Sequence, residues 1–337
     1  MSAYSLGTLS VAPGARGLAA LPVTRTLRGD LSIPVHVLNG AQAGPTLAIL
    51  CSVHGDENGS LYALKTLVDT LDLAQMSGTL LLLPVANPLA FADLRRETSE
   101  QRENTDLHRC FPGNPRGSIT DMIAAVIARE VIARSDAVID IHAGGNGGRI
   151  QQRADLNEDA TGAVRDRSLA LCEAFGTGFV HVNFLPPSTA AGHANTLGIA
   201  ACAVEVGGTY LPTPLADFYR DLMLQGITAV MAQLGMLEGA PPAPTEQHRF
   251  GRKARKEANP TRAGYLISLA DAPADLGRVV RKDELLGTVI DPFTLEAVEE
   301  LRSPCDGVLF FSRMSGIVDA GAKGFAIADS ALMDARA

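Results

Sequence analysis

Four short, nearly unbroken apolar runs punctuate the first two thirds of the chain, at 46–53 (TLAILCSV), 79–85 (TLLLLPV), 137–141 (AVIDI) and 200–206 (AACAVEV). Runs of this length without polar alternation suit strands buried on both faces, as in a parallel or mixed sheet covered by helices. Between them, residues 60–73, 119–133, 164–175 and 215–234 read as helices. The pattern predicts an α/β fold with a doubly wound sheet. Each apolar run is followed by a polar or glycine-rich loop: HGDENG, ANP, HAGGNGG and EVGG. Ligand sites in open α/β sheets lie outside the carboxyl ends of the strands, so chemistry is expected in these loops.

After Leu237 the texture changes to the proline-rich EGAPPAPTEQ, which reads as a linker and predicts a boundary near residue 245. Residues 1–245 would form the larger domain and 246–337 a smaller β-rich one. In the tail, short β-like runs at 264–269, 278–280, 285–290 and 307–311 alternate with turn signals. Its segments GRVVRKDELLGTVID and SPCDGVLFF resemble the barrel-sandwich pattern of lipoyl and biotinyl carrier domains. No lysine is identified in the setting a carrier needs, so no covalently attached cofactor is expected.

Composition changes this picture little. Hydrophobic residues make up 46% and charged residues 20% of 337, ordinary for a folded globular protein. A net charge of −8 argues against nucleic acid or an anionic membrane surface as the main partner. Five scattered cysteines without a Cys-x-x-Cys spacing predict neither a disulfide framework nor a thiolate metal site. The N-terminus lacks the form of a secretory signal and no run is long enough for a membrane helix, which predicts a cytoplasmic protein.

The loops carry a candidate metal constellation. His54 and Glu57 stand three residues apart directly after a buried run, and imidazole nitrogen and carboxylate oxygen are good zinc donors. A catalytic zinc takes a third protein ligand, for which His142, after another buried run, is the best candidate. Asp140, two residues before it, could support a metal-bound histidine. Glu205 ends an apolar run, where a carboxylate has no packing reason to be; it is a candidate general base. The arginines of LRRETSEQRENTDLHRCFPG could serve an oxyanion and a substrate carboxylate. No Gly-x-Ser-x-Gly and no nucleotide fingerprint is present.

Taken in order, HGDE at 54–57, NPLAF at 87–91, DLHRCFPG at 106–113, DIHAGG at 140–145 and EVGG at 205–208 resemble the succinylglutamate desuccinylase and aspartoacylase family, relatives of the zinc carboxypeptidases. The resemblance covers roughly residues 30–235. It implies one Zn2+ per chain held by His54, Glu57 and His142, a water-activating role for Glu205, an oxyanion-stabilising role for Arg96, and a carboxylate clamp at Arg109. His108 stands where the family usually carries asparagine, so the clamp is expected to differ, with a side chain whose charge changes near neutral pH. It also implies that the C-terminal β domain shapes the entrance to the site.

The expected activity is hydrolysis of the amide bond of a small N-acylated amino acid, with acetyl and succinyl groups both compatible. A carboxypeptidase acting on short peptides and a non-catalytic binding protein on the same scaffold are the alternatives. A homo-oligomer is left open.

Overall fold

The computed structural model describes residues 2–145, 148–183, 185–239, 247–272 and 275–336. Strands β1 (Tyr4–Leu6) and β2 (Leu9–Val11) pair with each other and lead into a long antiparallel hairpin, β3 (Ala15–Thr26) and β4 (Gly29–Asn39). There follow β5 (Gln42–Cys51), α1 (Ser60–Thr70), β6 (Ser77–Leu83), α2 (Pro88–Ala92), α3 (Ile119–Glu130) and β7 (Ala137–His142). Next are β8 (Gly148–Asn157), α4 (Gly162–Phe175), β9 (Phe179–Asn183), α5 (Ala190–Thr196), β10 (Ala200–Gly208) and α6 (Thr213–Gln233). Each of the four apolar runs is a strand, and each of the four helical stretches is a helix.

Strands β10, β7, β5 and β6 lie side by side and parallel, with the antiparallel β4 and β3 beyond β6 and the antiparallel β8 beyond β10. The fold is therefore a large mixed sheet flanked by helices. Its apolar runs are unbroken because both faces are covered. Leu47, Ile49, Ile139 and Cys202 pack against α1, α4 and α6, while Ala48, Leu50, Val138 and Ala201 pack against α3 and α5. Burying each large side chain contributes roughly 1.5–3 kcal/mol. Because the central strands are parallel, the loops after Cys51, His142 and Gly208 open at one rim.

The C-terminal third is almost entirely β: β11 (Gln247–Gly251), β12 (Arg255–Ala258), β13 (Gly264–Ser268), β14 (Val279–Val280), β15 (Leu285–Ile290), β16 (Ala297–Arg302), β17 (Gly307–Arg313), β18 (Gly316–Val318), β19 (Phe325–Asp329) and β20 (Met333–Arg336). Strands β16, β15, β13 and β18 form a separate antiparallel sheet. Others continue the central sheet: β17 pairs with β8, setting Phe311 opposite Ile150 and Ser312 opposite Arg149, and β11 pairs with β9. Fully buried Arg149 secures this junction, its guanidinium donating to the carbonyls of Ala270 and Ala272. The expected linker and the boundary near residue 245 fall at 240–246, outside the described residues.

Candidate active site

The first two candidate donors are positioned by a close approach of backbones. Beyond β5 the chain turns through His54-Gly55-Asp56-Glu57 against α2, and a β-carbon on Gly55 would lie 2.1 Å from the Ala90 carbonyl carbon. Glycine is therefore required there. The N–H groups of Ala86 and Asn87 donate to the carbonyls of Cys51 and Ser52 at 2.9 and 3.1 Å, and the Asn87 side chain caps α2 by accepting from Ala90 N–H. His142 is the last residue of β7 and faces Glu205 of β10 in register. Strand order thus gathers on one rim residues that are far apart in the chain.

The inner edges of these side chains converge. His54 Nδ1 lies 2.9 Å from Glu57 Oε1, His142 Nδ1 lies 2.9 Å from Glu57 Oε2, and the two Nδ1 atoms are 3.2 Å apart. Ala143 N–H also donates to Glu57 Oε2, at 3.2 Å. The outer nitrogens face carboxylates: His54 Nε2 is 3.2 Å from Asp106 Oδ1 and His142 Nε2 is 3.0 Å from Asp140 Oδ2. The His108 ring stands 4.7 Å from that of His142, edge-on, and 5.4 Å from that of His54. His54, His108 and His142 each offer a ligand atom within 4.8 Å of the others, so three imidazoles are placed where a metal ion could be held.

Charge within the cluster is finely divided. Burial alone would lower the pKa of His54, but Glu57 and Asp106 carry it above the usual histidine value; His142 is raised further, against burial, by Asp140 and Glu57. In turn, burial is overcome at Glu57, Asp106 and Asp140, whose carboxyls are held below their usual range by these imidazoles. His108 behaves oppositely, since burial reinforced by the positive His142 pushes it down to about 3. It is consequently neutral near pH 7, contrary to the expectation that its charge changes there.

The expected metal ligands, catalytic residues and substrate-binding residues line one cavity of about 590 Å³: His54, Glu57, Arg96, His108, Arg109, His142 and Glu205. Asp140 lies behind His142, outside that lining. Arg96 lies 3.1 Å from Glu57 Oε1 and 3.7 Å from Asp106 Oδ2, with about half of its side chain exposed. Arg109 is more exposed and approaches Asp106 at 3.6 Å. Partly buried Glu205 has its pKa raised by burial, which Arg153 opposes from 3.4 Å.

Several neighbours were not read from the sequence. Asp106 belongs to a quoted motif, but its place behind His54 depends on tertiary folding. Arg153 and Asp155 lie on β8, whose polar sequence GRIQQRADLN hides a strand; they form a buried pair at 2.7 Å, with His181 3.3 Å from Asp155. Their period-two spacing was the available signal. Arg313 and Lys323 reach the cavity from the C-terminal strands, and no motif marks them.

The family model of the succinylglutamate desuccinylase/aspartoacylase catalytic domain matches residues 43–234. The N-alpha-acetyl-L-2,4-diaminobutyric acid deacetylase of Halomonas elongata is 28% identical over 321 residues, covering 90% of this chain and 88% of its own. Among solved structures, a succinylglutamate desuccinylase/aspartoacylase from Rhodobacter sphaeroides superposes with a TM-score of 0.78 at 24% identity, covering 93% of this chain and 95% of its own. The product-bound ectoine utilization protein EutE (DoeB) of Ruegeria pomeroyi gives 0.80 at 22% identity, covering 96% and 98%. A metallo-carboxypeptidase from Burkholderia cenocepacia shares the fold more distantly, with a TM-score of 0.51 at 14% identity over 65% of each chain. Since the family match spans more than half of the residues, including His54, Glu57, His142 and Glu205, the chain belongs to the succinylglutamate desuccinylase/aspartoacylase family.

Proposed function

We propose that this protein is a zinc-dependent hydrolase of the amide bond in small N-acyl amino acids, releasing a carboxylic acid and the amino acid. The observation that carries the reading is the convergence of His54 Nδ1, Glu57 and His142 Nδ1 at 2.9–3.2 Å, with Glu205 on the neighbouring strand. Three donors on a tetrahedral zinc at bond lengths of about 2.0–2.2 Å are about 3.3–3.6 Å apart, so little adjustment is needed. Carboxylates behind both outer nitrogens match the arrangement that orients metal-binding histidines. Glu57 is a better third donor than His108, because its oxygens reach both Nδ1 atoms.

When bound, zinc would supply Lewis acidity toward a carbonyl oxygen and toward water. The remaining steps belong to the chain's own residues. Glu205, with its raised pKa, takes a proton from the attacking water and delivers it to the departing amine nitrogen. Arg96 offers N–H donors to the developing oxyanion. Arg109 holds the carboxylate of the amino acid, and neutral His108 hydrogen-bonds beside it without adding charge. The separate core of Leu266, Leu286, Val289, Leu309 and Phe325 supports reading residues 246–337 as an accessory domain of barrel-sandwich type, which bounds the cavity through β17 and the loop before β19.

The test is a screen of N-acetyl, N-succinyl and N-formyl amino acids, with dipeptides alongside, against protein whose metal content has been measured. Stoichiometric zinc and hydrolysis of at least one acyl amino acid are expected. Absence of both, or cleavage of dipeptides alone, would overturn the reading.

A further inference from the structure

Glu205 is held from the side by a buried cation. On β8, which runs antiparallel to β10, Arg153 stands directly opposite Glu205, and Asp155 directly opposite Ala203. Residues two apart on a strand share a face, so Arg153, Asp155 and Glu205 belong to one wall, and all three line the cavity. Arg153 Nε donates to Asp155 Oδ1 at 2.7 Å, and its Nη2 reaches both Asp155 Oδ2 at 3.3 Å and Glu205 Oε1 at 3.4 Å. His181 Nδ1 lies 3.3 Å from Asp155 Oδ1. Arg153, Asp155 and His181 are all buried. Charges are costly to bury, so an array of this kind persists when its members pair with one another or serve the site they line.

The C-terminal strands close the array. The Phe310 ring of β17 lies 5.6 Å from the Arg153 guanidinium carbon, and the Phe250 ring of β11 stacks on His181 at 4.7 Å with 19° between the planes. The two phenyl rings are 5.4 Å apart, and both are buried. A guanidinium that grips a carboxylate through two nitrogens and rests against an aromatic ring has little freedom to swing. Glu205 lacks such a frame of its own. The register of β10 against β8 shifts between Glu205 and Gly207, where Gly207 takes φ 69° and a β-carbon would lie 2.8 Å from the Tyr219 ring. A bulge of this kind re-aims the side chain beside it and interrupts the ladder. Among the described residues, Arg153 is the one hydrogen-bond donor to the Glu205 carboxylate.

We propose that Arg153 is a positioning residue for Glu205: gripped by Asp155, backed by His181 and bracketed by Phe250 and Phe310, it fixes where the Glu205 carboxylate stands in the cavity. The inference rests on the proposed function, in which Glu205 carries the proton. The distances divide the labour. The contact at 2.7 Å ties Arg153 to Asp155, while the contact at 3.4 Å restrains Glu205 through Oε1 alone and leaves Oε2 to the reacting groups. A glutamate side chain is otherwise free to rotate at each of its torsions, and proton transfer requires one placement among many. The C-terminal strands thereby act on the reaction at second hand, through Phe250 and Phe310, as well as bounding the cavity.

The experiment is a double-mutant cycle over Arg153→Gln and Glu205→Gln in the zinc-loaded full chain. It is read in kcat and KM for the N-acyl amino acid that the wild type hydrolyses fastest and, separately, in urea unfolding. Arg153→Gln should lower kcat by about 10–100-fold with KM and zinc content unchanged, since a misplacement of about 1 Å can cost that much. Where Glu205→Gln has already removed the group to be positioned, the same change should cost about twofold or less, the non-additivity of residues that act as a unit. In unfolding, the midpoint shift caused by Glu205→Gln should differ with and without Arg153→Gln. Arg153→Lys keeps a charge beside Asp155 but loses the planar fork, so it should recover most of the stability and only part of kcat, a split that a merely structural role would not give. It also takes the place of Arg153→Gln in the cycle should that variant not fold. Equal fold-losses of kcat in both backgrounds, a rise in KM at unchanged kcat, or unfolding shifts that simply add would overturn the positioning role and leave amide hydrolysis standing. Failure of the wild type to hydrolyse any N-acyl amino acid would overturn the proposed function, and the role with it.

Discussion

At one end of the cavity His54, Glu57 and His142 satisfy one another and are backed by Asp106 and Asp140; at the other, Arg313 and Lys323 have a backbone carbonyl and an aromatic ring for company. The first end is assembled from loops after parallel strands of the central sheet, and every charge in it has a countercharge. The second is assembled from antiparallel strands that join the sheet late in the sequence; there Arg255 pairs with Glu257, while Lys323 feels Glu205 and Glu257 only across the cavity wall and, among the described residues, closes no ion pair. A self-matched cluster suits a resident cation, which displaces protons and keeps the carboxylates ionised. The cationic end offers no such donor set, and it meets the reaction through Arg153 and Glu205 at the junction. The two ends should therefore fail in different ways when altered.

The largest effect is expected at the junction between them. Glu205→Gln removes the proton carrier while preserving shape, so kcat should fall by roughly 10²–10⁴-fold with zinc content unchanged. Wild-type turnover in this variant would assign the proton transfer elsewhere. Asp106→Asn leaves His54 Nε2 with a neutral partner and also removes the charge that Arg96 and Arg109 approach; a weakening of zinc affinity by about 10–100-fold is expected in competition with a chelator. Arg153→Gln, beside the cationic end, should leave zinc affinity unchanged. A weakening there would show that the two ends are coupled.

The difference between the ends also explains what the sequence could reveal. The runs that became β5, β6, β7 and β10 were legible because burial on both faces leaves no polar interruption, and His54, Glu57, His142 and Glu205 stood at or just beyond the ends of such runs in recognisable clusters. Strand β8 was not, because its buried residues include Arg149, Arg153 and Asp155, which are tolerable inside through the pairing of Arg153 with Asp155 and through partners distant in the chain, the Ala272 carbonyl, Glu205 and His181. The hairpin of β3 and β4 escaped for a related reason: its half-exposed faces alternate and never produce a continuous run. Arg313 and Lys323 were illegible as site residues, since only the pairing of β17 with β8 brings that part of the chain to the rim.

A smaller effect should appear in the pH dependence of the cationic end. Lys323 is faced by Arg255, Arg153, Glu205 and Glu257, and by the Phe311 ring, with a pKa lowered to about 7. A depressed lysine pKa means that the unfolded chain binds more protons between about 7 and 10.5, so this group's penalty on stability is greatest below pH 7 and fades as pH climbs. Lys323→Arg should flatten the rise of the urea midpoint across that window. An unchanged slope in Lys323→Arg would assign the dependence to another group.

The smallest effect comes from a change remote from both ends, and it calibrates the others. Gly176 terminates α4 in the left-handed region at φ 74°, is exposed, and donates its N–H to the Glu173 carbonyl at 3.2 Å. A β-carbon at that φ meets the following carbonyl, so Gly176→Ala should lower stability by about 1–2 kcal/mol, read as a drop in the urea midpoint at constant slope. Helix α4 packs behind the sheet against β10 and α6, on the face that holds Leu171, Cys172 and Phe175, and contributes nothing to the lining of the cavity. If activity responds to local chemistry, neither zinc affinity nor kcat should change in this variant. If kcat fell with stability alone, a similar fall in Arg153→Gln would no longer identify a positioning role, and the contrast between the two ends would reduce to one of robustness.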